Sequence, residues 1–145
     1  MKSKIAYLLT LCFLGVTLSC SSDDDGGGGP TGPTISTQVF ATWNLGIIIE
    51  NNQTSDTFPC EEDIEYKFNN NGTYTKLEFS TDANDNCVVA TTINGNWQAV
   101  ADNEVLLTPL SASFSQETLV LSILNNGNQL QVVRTQNLTE LYNKQ

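Results

Sequence analysis

The sequence contains no histidine. Histidine is the commonest general base near neutral pH and the commonest protein ligand of transition metals. Its absence excludes Ser-His-Asp and Cys-His catalytic sites built from this chain alone. We therefore predict that the protein is not an enzyme, and we predict no metal site and no cofactor.

Basic residues are also scarce, since six lysines and arginines stand against 16 aspartates and glutamates. Two of the six, Lys2 and Lys4, belong to an N-terminal leader; without them four basic residues face the same 16 acidic ones, a formal charge of −12. Nucleic acid binding requires cations that displace counterions from phosphates, and a polybasic membrane patch requires them too. The composition excludes both, and we interpret the acidity as favouring solubility.

No apolar run reaches the roughly 20 residues that a transmembrane helix needs. The apolar run at residues 5–18 follows Lys2 and Lys4, which is typical of a secretory signal peptide. We predict that residues 1–19 form this signal peptide and that it is removed before Cys20. An ordinary secretory signal cut nearby is the alternative.

The residues around Cys20 resemble the lipobox of bacterial lipoproteins, whose cysteine becomes acylated. Thr17 stands where leucine is usual, a looser box of the kind familiar in Bacteroidetes lipoproteins. The resemblance implies lipid chains such as palmitate on Cys20, which would anchor the protein firmly to a membrane. Residues 21–25 resemble the acidic export signal of surface-exposed Bacteroidetes lipoproteins, and a solvated linker is the alternative. We expect an outer-membrane lipoprotein of the cell envelope, exposed at the surface, with residues 20–36 as lipidated cysteine and disordered tether.

Residues 37–145 carry short alternating apolar runs separated by Asn, Gly and Asp, a pattern that predicts a small all-β domain. The predicted strands are residues 40–49, 64–68, 73–80, 87–93, 94–101, 105–107, 117–124 and 129–135. Asn-Gly turns at residues 69–72 and 125–128 predict hairpins. About eight strands joined by tight turns favour an antiparallel up-and-down β-barrel, since closure leaves no sheet edge. We expect residues 138–145 to fray.

The alternation also predicts which side chains face the interior. In the strand at residues 73–80, Leu77 and Phe79 are expected inward, with Lys76 and Glu78 outward. In the other predicted strands, the face on which apolar residues alternate is likewise expected to point inward. In the last predicted strand the inward set is Leu130, Val132 and Arg134.

Cys60 and Cys87 are the two cysteines that follow Cys20. We predict a disulfide between them, because the compartment beyond the inner membrane permits oxidation. Closing this loop would stabilise the fold by roughly 3.5 kcal/mol in the chain-entropy model. A redox or nucleophilic role is the alternative, but no basic residue stands near either cysteine in sequence to lower its pKa.

Several motifs in order resemble the lipocalin-like domain of Bacteroidetes lipoproteins. They are Pro59-Cys60-Glu61-Glu62-Asp63-Ile64, Phe68-Asn69-Asn70-Asn71-Gly72-Thr73-Tyr74, Cys87 and Gly95-Asn96-Trp97. The resemblance covers residues 37–135. The Gly-x-Trp that opens the first strand of lipocalins appears as Ala41-Thr42-Trp43, without its glycine. The resemblance implies barrel closure by Trp43 beneath Arg134, an arginine over a tryptophan ring worth about 0.5–2 kcal/mol.

The resemblance also implies a small hydrophobic ligand in the barrel mouth. The residues expected to line its cavity are Leu45, Ile47, Tyr66, Phe68, Phe79, Trp97, Leu119 and Leu121. The same bulky inward set, with Trp43, favours a barrel filled by its own side chains at least as much. A filled barrel would be a structural or protein-interaction module of a surface complex, with a protein partner that the sequence does not identify.

Two acidic clusters carry weak signals of other functions. Residues 82–86 place oxygen atoms like the first ligands of a calcium loop, but Cys87 and Ile93 stand where that loop needs Gly and Glu. The carboxylates of residues 61–65 could serve a hydrolase only if they converged in a cleft. We interpret the first cluster as a polar hairpin loop and the second as a solvated loop.

Overall fold

The computed structural model describes residues 35–56 and 59–145. The predicted signal peptide, Cys20 and nearly all of the predicted tether lie outside the described residues. Within the described ranges, no helix has the length and apolar character needed to cross a membrane.

Besides 3₁₀ turns at Cys60–Glu62 and Asn125–Gly127, the described residues form one short α-helix and nine strands. They are α1 (Ile35–Gln38), β1 (Ala41–Glu50), β2 (Gln53–Ser55), β3 (Ile64–Phe68), β4 (Thr73–Thr81), β5 (Cys87–Ala101), β6 (Glu104–Pro109), β7 (Glu117–Leu124), β8 (Gln129–Thr135) and β9 (Leu138–Lys144). From β3 to β9 each strand pairs antiparallel with the next, and β1 pairs with both β3 and β9. Eight strands thus close into an up-and-down barrel, as predicted. The short strand β2 pairs with β1 on the same edge as β3.

The barrel has a closed end and an open end. The helix α1 covers the closed end, where Ile35 and Val39 are buried and Ile35 N–H donates to Asp102 O at 3.3 Å. Trp43 lies beside this helix, and its indole Nε1 donates to Val39 O at 2.8 Å. Because Ile35 is buried, the folded domain begins earlier than the predicted boundary at residue 37.

The core fills the barrel from the closed end upward. Its buried side chains, packed in one cluster, are Ile35, Val39, Trp43, Leu45, Tyr66, Phe68, Tyr74, Ile93, Trp97, Val105, Leu107, Leu119, Leu121, Leu130, Val132 and Tyr142. Aromatic rings meet edge to face within it, as for Phe68 and Trp97, whose centroids are 5.8 Å apart. Such contacts stabilise beyond the apolar area that they bury.

The expectation that residues 138–145 fray is wrong. Strand β9 pairs with β8 on one side and with β1 on the other, and it is the strand that closes the barrel. Its inward residues include a carboxylate, Glu140, and a hydroxyl, that of Tyr142. This polar content weakens the alternation of apolar residues by which a strand is found in a sequence.

The two strands predicted at residues 87–93 and 94–101 are one continuous strand, β5. Residues 94–96 have the composition of a turn, but Gly95 lies inside the barrel opposite Tyr74. A Cβ atom at Gly95 would collide with the Tyr74 ring and with Thr108 O. The glycine is therefore required by close packing of a ring against the backbone, and not by a turn.

Candidate binding site at the open end of the barrel

The upper part of the barrel interior, towards the open end, contains an arginine from β8. Arg134 Nε donates to Glu140 Oε2 at 2.8 Å, and its Nη2 donates to the Tyr66 hydroxyl at 3.0 Å. Its Nη1 forms an ion pair with Glu117. We call these residues, together with Tyr142, the Arg134 cluster. It connects four strands across the barrel below the open end.

Glu140 is the most buried carboxylate of this cluster, with 8% of its surface exposed. Its Oε2 atom accepts from Arg134 and also from the Tyr142 hydroxyl, at 2.7 Å. Among the described residues no donor reaches its other oxygen, Oε1. Glu140 also borders a cavity at the open end. The Glu140 side chain keeps 11% of its surface exposed, so its carboxylate is accessible at the cavity.

The electrostatic environment shifts the pKa values of Arg134 and of the two tyrosines of the cluster. Burial alone would lower the pKa of Arg134, but Tyr66 and Glu140 outweigh it and raise that pKa. Burial, reinforced by the neighbouring Glu140 charge, raises the pKa of Tyr142. Burial likewise raises the pKa of Tyr66. Arg134 therefore remains a cation at ordinary pH, and both tyrosines remain neutral, Tyr66 as an acceptor from Arg134 and Tyr142 as a donor to Glu140.

The cavity above the cluster has a volume of about 290 Å³. Its lining residues are Ile48, Glu50, Glu62, Ile64, Leu138 and Glu140. A second depression of about 270 Å³ adjoins it and shares the lining residues Ile48, Glu50 and Glu62. Half of the lining side chains of the first cavity are aliphatic and the other half are carboxylates.

A lysine on β4 extends this polar layer. Lys76 lies opposite Tyr66 in the strand pairing, its Nζ is 5.8 Å from the centroid of the Tyr66 ring, and it is 2.8 Å from Glu78 Oε1. The prediction that Lys76 and Glu78 face outward, with Leu77 and Phe79 inward, is therefore wrong. The ion pair and the ring contact satisfy the lysine where an isolated charge would be costly.

Comparison with known proteins identifies the family to which this barrel belongs. The sequence profile of the lipocalin-like domain matches residues 39–140. The chain belongs to the lipocalin-like family. Its fold is similar to the crystal structure of a lipocalin-like protein from Bacteroides uniformis, with a TM-score of 0.51 and 12% identity over 74% of this chain and 99% of that one. An uncharacterized protein from Bacteroides eggerthii gives a TM-score of 0.49 and 12% identity over 73% and 98% of the two chains. No curated protein matches the sequence.

The expected contact between Trp43 and Arg134 is wrong for this lipocalin-like chain. Trp43, on β1, pairs with Lys144 at the end of β9. Arg134 is next to Thr135, on β8, and Thr135 pairs with Leu138 at the start of β9. The strand register therefore places the two residues at opposite ends of the barrel. The Lys144 ammonium lies 5.7 Å from the Trp43 ring centroid, and the Arg134 guanidinium lies 5.9 Å from that of Tyr66.

Of the residues expected to line a central cavity, six are buried in the packed core and two face outward. The six are Leu45, Tyr66, Phe68, Trp97, Leu119 and Leu121. A β-bulge between Leu45 and Ile47 shifts the alternation, so Ile48 replaces Ile47 on the inner face. Phe79 lies outward because β4 pairs with β3 in the register that puts Tyr74 and Lys76 inside. The cavity at the open end involves none of the eight.

The predicted disulfide is confirmed. Cys60 and Cys87 are bonded, with their Cα atoms 5.6 Å apart. Cys60 begins a 3₁₀ turn, Cys60–Glu62, and Cys87 begins β5. The bond therefore joins the segment that carries Glu62 to the β4–β5 hairpin at the open end. It fixes one wall of the cavity.

The loop at residues 82–86 closes the β4–β5 hairpin. The Asp82 carboxylate accepts backbone N–H groups of Asn84, at 2.7 Å, and of Asn86, at 2.9 Å, and these hydrogen bonds lower its pKa. The carboxylate is thus used within the loop, as in an Asx turn. Within the described part of the chain, no group of three His, Cys, Asp or Glu residues could hold a metal ion.

Proposed function

We propose that the protein is a lipid-anchored envelope lipoprotein whose lipocalin-like barrel binds a small ligand at its open end. The observation that carries the binding function is the cavity of about 290 Å³ between β1, β3 and β9. Ligand sites combine an apolar lining with a few fixed polar groups. Ile48, Ile64 and Leu138 supply the first, and Glu140, oriented by Arg134, supplies the second.

The size of the cavity limits the ligand. Pockets for drug-sized molecules span about 300–1,000 Å³, so this cavity suits a small molecule with a short apolar part. Below it the Arg134 cluster and the packed core occupy the barrel interior. The proposed ligand therefore lies at the barrel mouth, above the core and not within it.

Displacement of an environment-sensitive dye from the full chain tests this function. We expect saturable one-to-one binding that Leu138→Ser weakens at least about tenfold, because the substitution removes an apolar wall of the cavity. Leu124→Ser, at the closed end, is the matched control and should bind normally. Equal affinities of the two variants, with both folded, would refute binding at this cavity.

The lipid anchor is tested at Cys20. Cells fed an alkyne-bearing fatty acid should label the wild-type chain and the Cys12→Ala control, whereas Cys20→Ala should lose the label. Protease digestion of intact cells then tests surface exposure, since a chain in the outer leaflet is cut without lysis. Labelling that persists in Cys20→Ala would refute the proposed anchor.

A protein-interaction module is the second candidate function. The β6–β7 loop exposes two large apolar side chains, Leu110 at 74% and Phe114 at 36%. Exposed apolar groups that lie together can mark interaction sites. A photo-crosslinking residue at position 110 should form one discrete adduct in cells, lost when Phe114→Ser is added, whereas the same probe at Gln98 should form none. The absence of an adduct at position 110 would argue against this function.

A further inference from the structure

We infer that the cavity at the open end selects an organic cation, a small molecule in which an ammonium or guanidinium group is attached to a short hydrocarbon part. This inference rests on the proposed binding function and specifies its ligand class. It follows from three observations at the cavity: the free oxygen of Glu140, the excess of carboxylates and the aliphatic wall.

The free oxygen of Glu140 is the most specific of the three. The residue is more than nine-tenths buried, its Oε2 atom takes both hydrogen bonds from the cluster, and Oε1 has no donor among the described residues. The side chain keeps 11% of its surface exposed, so this oxygen is open to solvent in the free protein and is not a buried unsatisfied acceptor. A hydrogen bond between charged groups is stronger than one between neutral groups, so a cationic donor suits this carboxylate best. A ligand N–H group that enters the cavity would donate to it.

The charge around the cavity favours a cation. Glu50, Glu62 and Glu140 line it, and Glu117 lies below in the cluster. The guanidinium of Arg134 forms ion pairs with Glu140 and Glu117. With the Lys76–Glu78 ion pair of the same polar layer included, five carboxylates stand against two cations. The negative charge is in excess, so an anionic headgroup would be repelled where a cation is attracted.

The aliphatic wall separates this class from a bare inorganic cation. Ile48, Ile64 and Leu138 form the apolar half of the lining. Hard metal cations prefer a shell of oxygen ligands, whereas a hydrocarbon part gains free energy from burial against aliphatic side chains. An amphiphilic amine uses both halves of the lining at once.

Calorimetry with three probes of equal chain length tests the inference: hexylammonium, hexanol and hexanoate. The full chain is used as its host produces it, in lipid nanodiscs if it is membrane-bound, with empty nanodiscs as the blank. We expect hexylammonium to bind at least about tenfold more tightly than hexanol, because it adds a charge-assisted hydrogen bond. We expect hexanoate to bind more weakly than hexanol.

Variants locate the effect. Glu140→Gln should abolish most of the preference for the amine, since an amide keeps the shape and removes the charge. The double variant Glu50→Gln/Glu62→Gln leaves the Arg134 cluster intact and should reduce the preference several-fold. Glu104→Gln, at the closed end, is the control and should retain it.

The outcomes separate the two proposals. Preference for hexylammonium that falls in the cavity variants and not in Glu104→Gln supports the inference. Equal binding of the three probes, or preference for hexanoate, overturns the inference and leaves ligand binding in place. The absence of binding by all three probes, together with an undisplaced dye, overturns the proposed function and the inference with it.

Discussion

Arg134→Leu should destabilise the protein more than a substitution at a typical ion pair. The substitution keeps apolar volume but removes the cation that contacts Glu140, Glu117 and Tyr66. Glu140 is 8% exposed and would keep only the Tyr142 hydroxyl as a partner. Removing one partner of a buried ion pair costs about 3–5 kcal/mol, because the other charge is left uncompensated.

The other two contacts of Arg134 add little to that loss. The Glu117 side chain is 41% exposed, so its ion pair with Arg134 contributes about 0–1 kcal/mol. The Tyr66 hydroxyl loses one hydrogen bond, worth about 1 kcal/mol. We therefore expect Arg134→Leu to lower the free energy of unfolding by about 4–7 kcal/mol in total, with Glu140 as the main cause.

Chemical denaturation of the full chain, followed by tryptophan fluorescence, measures this loss. The double variant Arg134→Leu/Glu140→Leu removes both charges and should recover at least half of it, since no uncompensated carboxylate remains. Lys67→Leu, an exposed residue on β3, is the control and should change stability by less than about 0.5 kcal/mol. A loss below about 1 kcal/mol in Arg134→Leu, or no recovery in the double variant, would refute the argument.

Three further predictions concern the tyrosines, Gly95 and the disulfide. Burial raises the pKa of three tyrosines, Tyr66, Tyr74 and Tyr142. Because their pKa is higher in the folded state than the unfolded value of about 10, the contribution of these tyrosines to stability should be constant below that pH and fall as pH rises above it. In a chain without residues 1–19, which contain Tyr7, ultraviolet absorbance of tyrosinate should rise only together with unfolding, and a rise in the folded protein would contradict this. Gly95→Ala should lower the free energy of unfolding by about 1–3 kcal/mol, because the added Cβ would collide with the Tyr74 ring and with Thr108 O. An unchanged denaturation midpoint would contradict the close packing of the Tyr74 ring against Gly95. Cys60→Ser/Cys87→Ser should cost roughly 3.5 kcal/mol in the same denaturation assay, and a cost below about 1 kcal/mol would show that the loop is held by other contacts.

The sequence predicts strands well where turn residues bound an apolar alternation. Strands β7 and β8 have their predicted bounds, because Asn-Gly residues separate them and apolar residues alternate in both. The closed barrel follows from the number of such strands and their short connections. In these strands the apolar alternation and the turn residues predict the same bounds, and the folded barrel has the strands at those bounds.

Strand β4 shows where the local pattern fails. One of its faces is more apolar, with Leu77 and Phe79, and the other has Tyr74, Lys76 and Glu78. The pairing with β3 selects the second face for the interior, because it places Lys76 beside Tyr66 and Glu78. An ion pair that satisfies a charge inside the barrel is a tertiary contact, and alternation in one strand does not reveal it.

The candidate site is missed by sequence reasoning for the same reason. Glu140 and Tyr142 lie on β9, the segment expected to fray, and Ile48 reaches the inner face only through the bulge after Leu45. The sequence does carry one signal, the alternation of Leu138, Glu140 and Tyr142. This alternation indicates a cavity only when the pairing of β9 with β1 is known, and the sequence does not reveal that pairing.

The position of ligand binding is the central claim, and methyl NMR of the full chain tests it most directly. With isoleucine and leucine methyl groups labelled, titration of hexylammonium should shift the signals of Ile48, Ile64 and Leu138, which line the cavity. Signals of Leu130 and Ile123, towards the closed end, should not move. Shifts confined to the closed-end residues, or no saturable shift at the three cavity residues, would contradict a ligand site at the open end of the barrel.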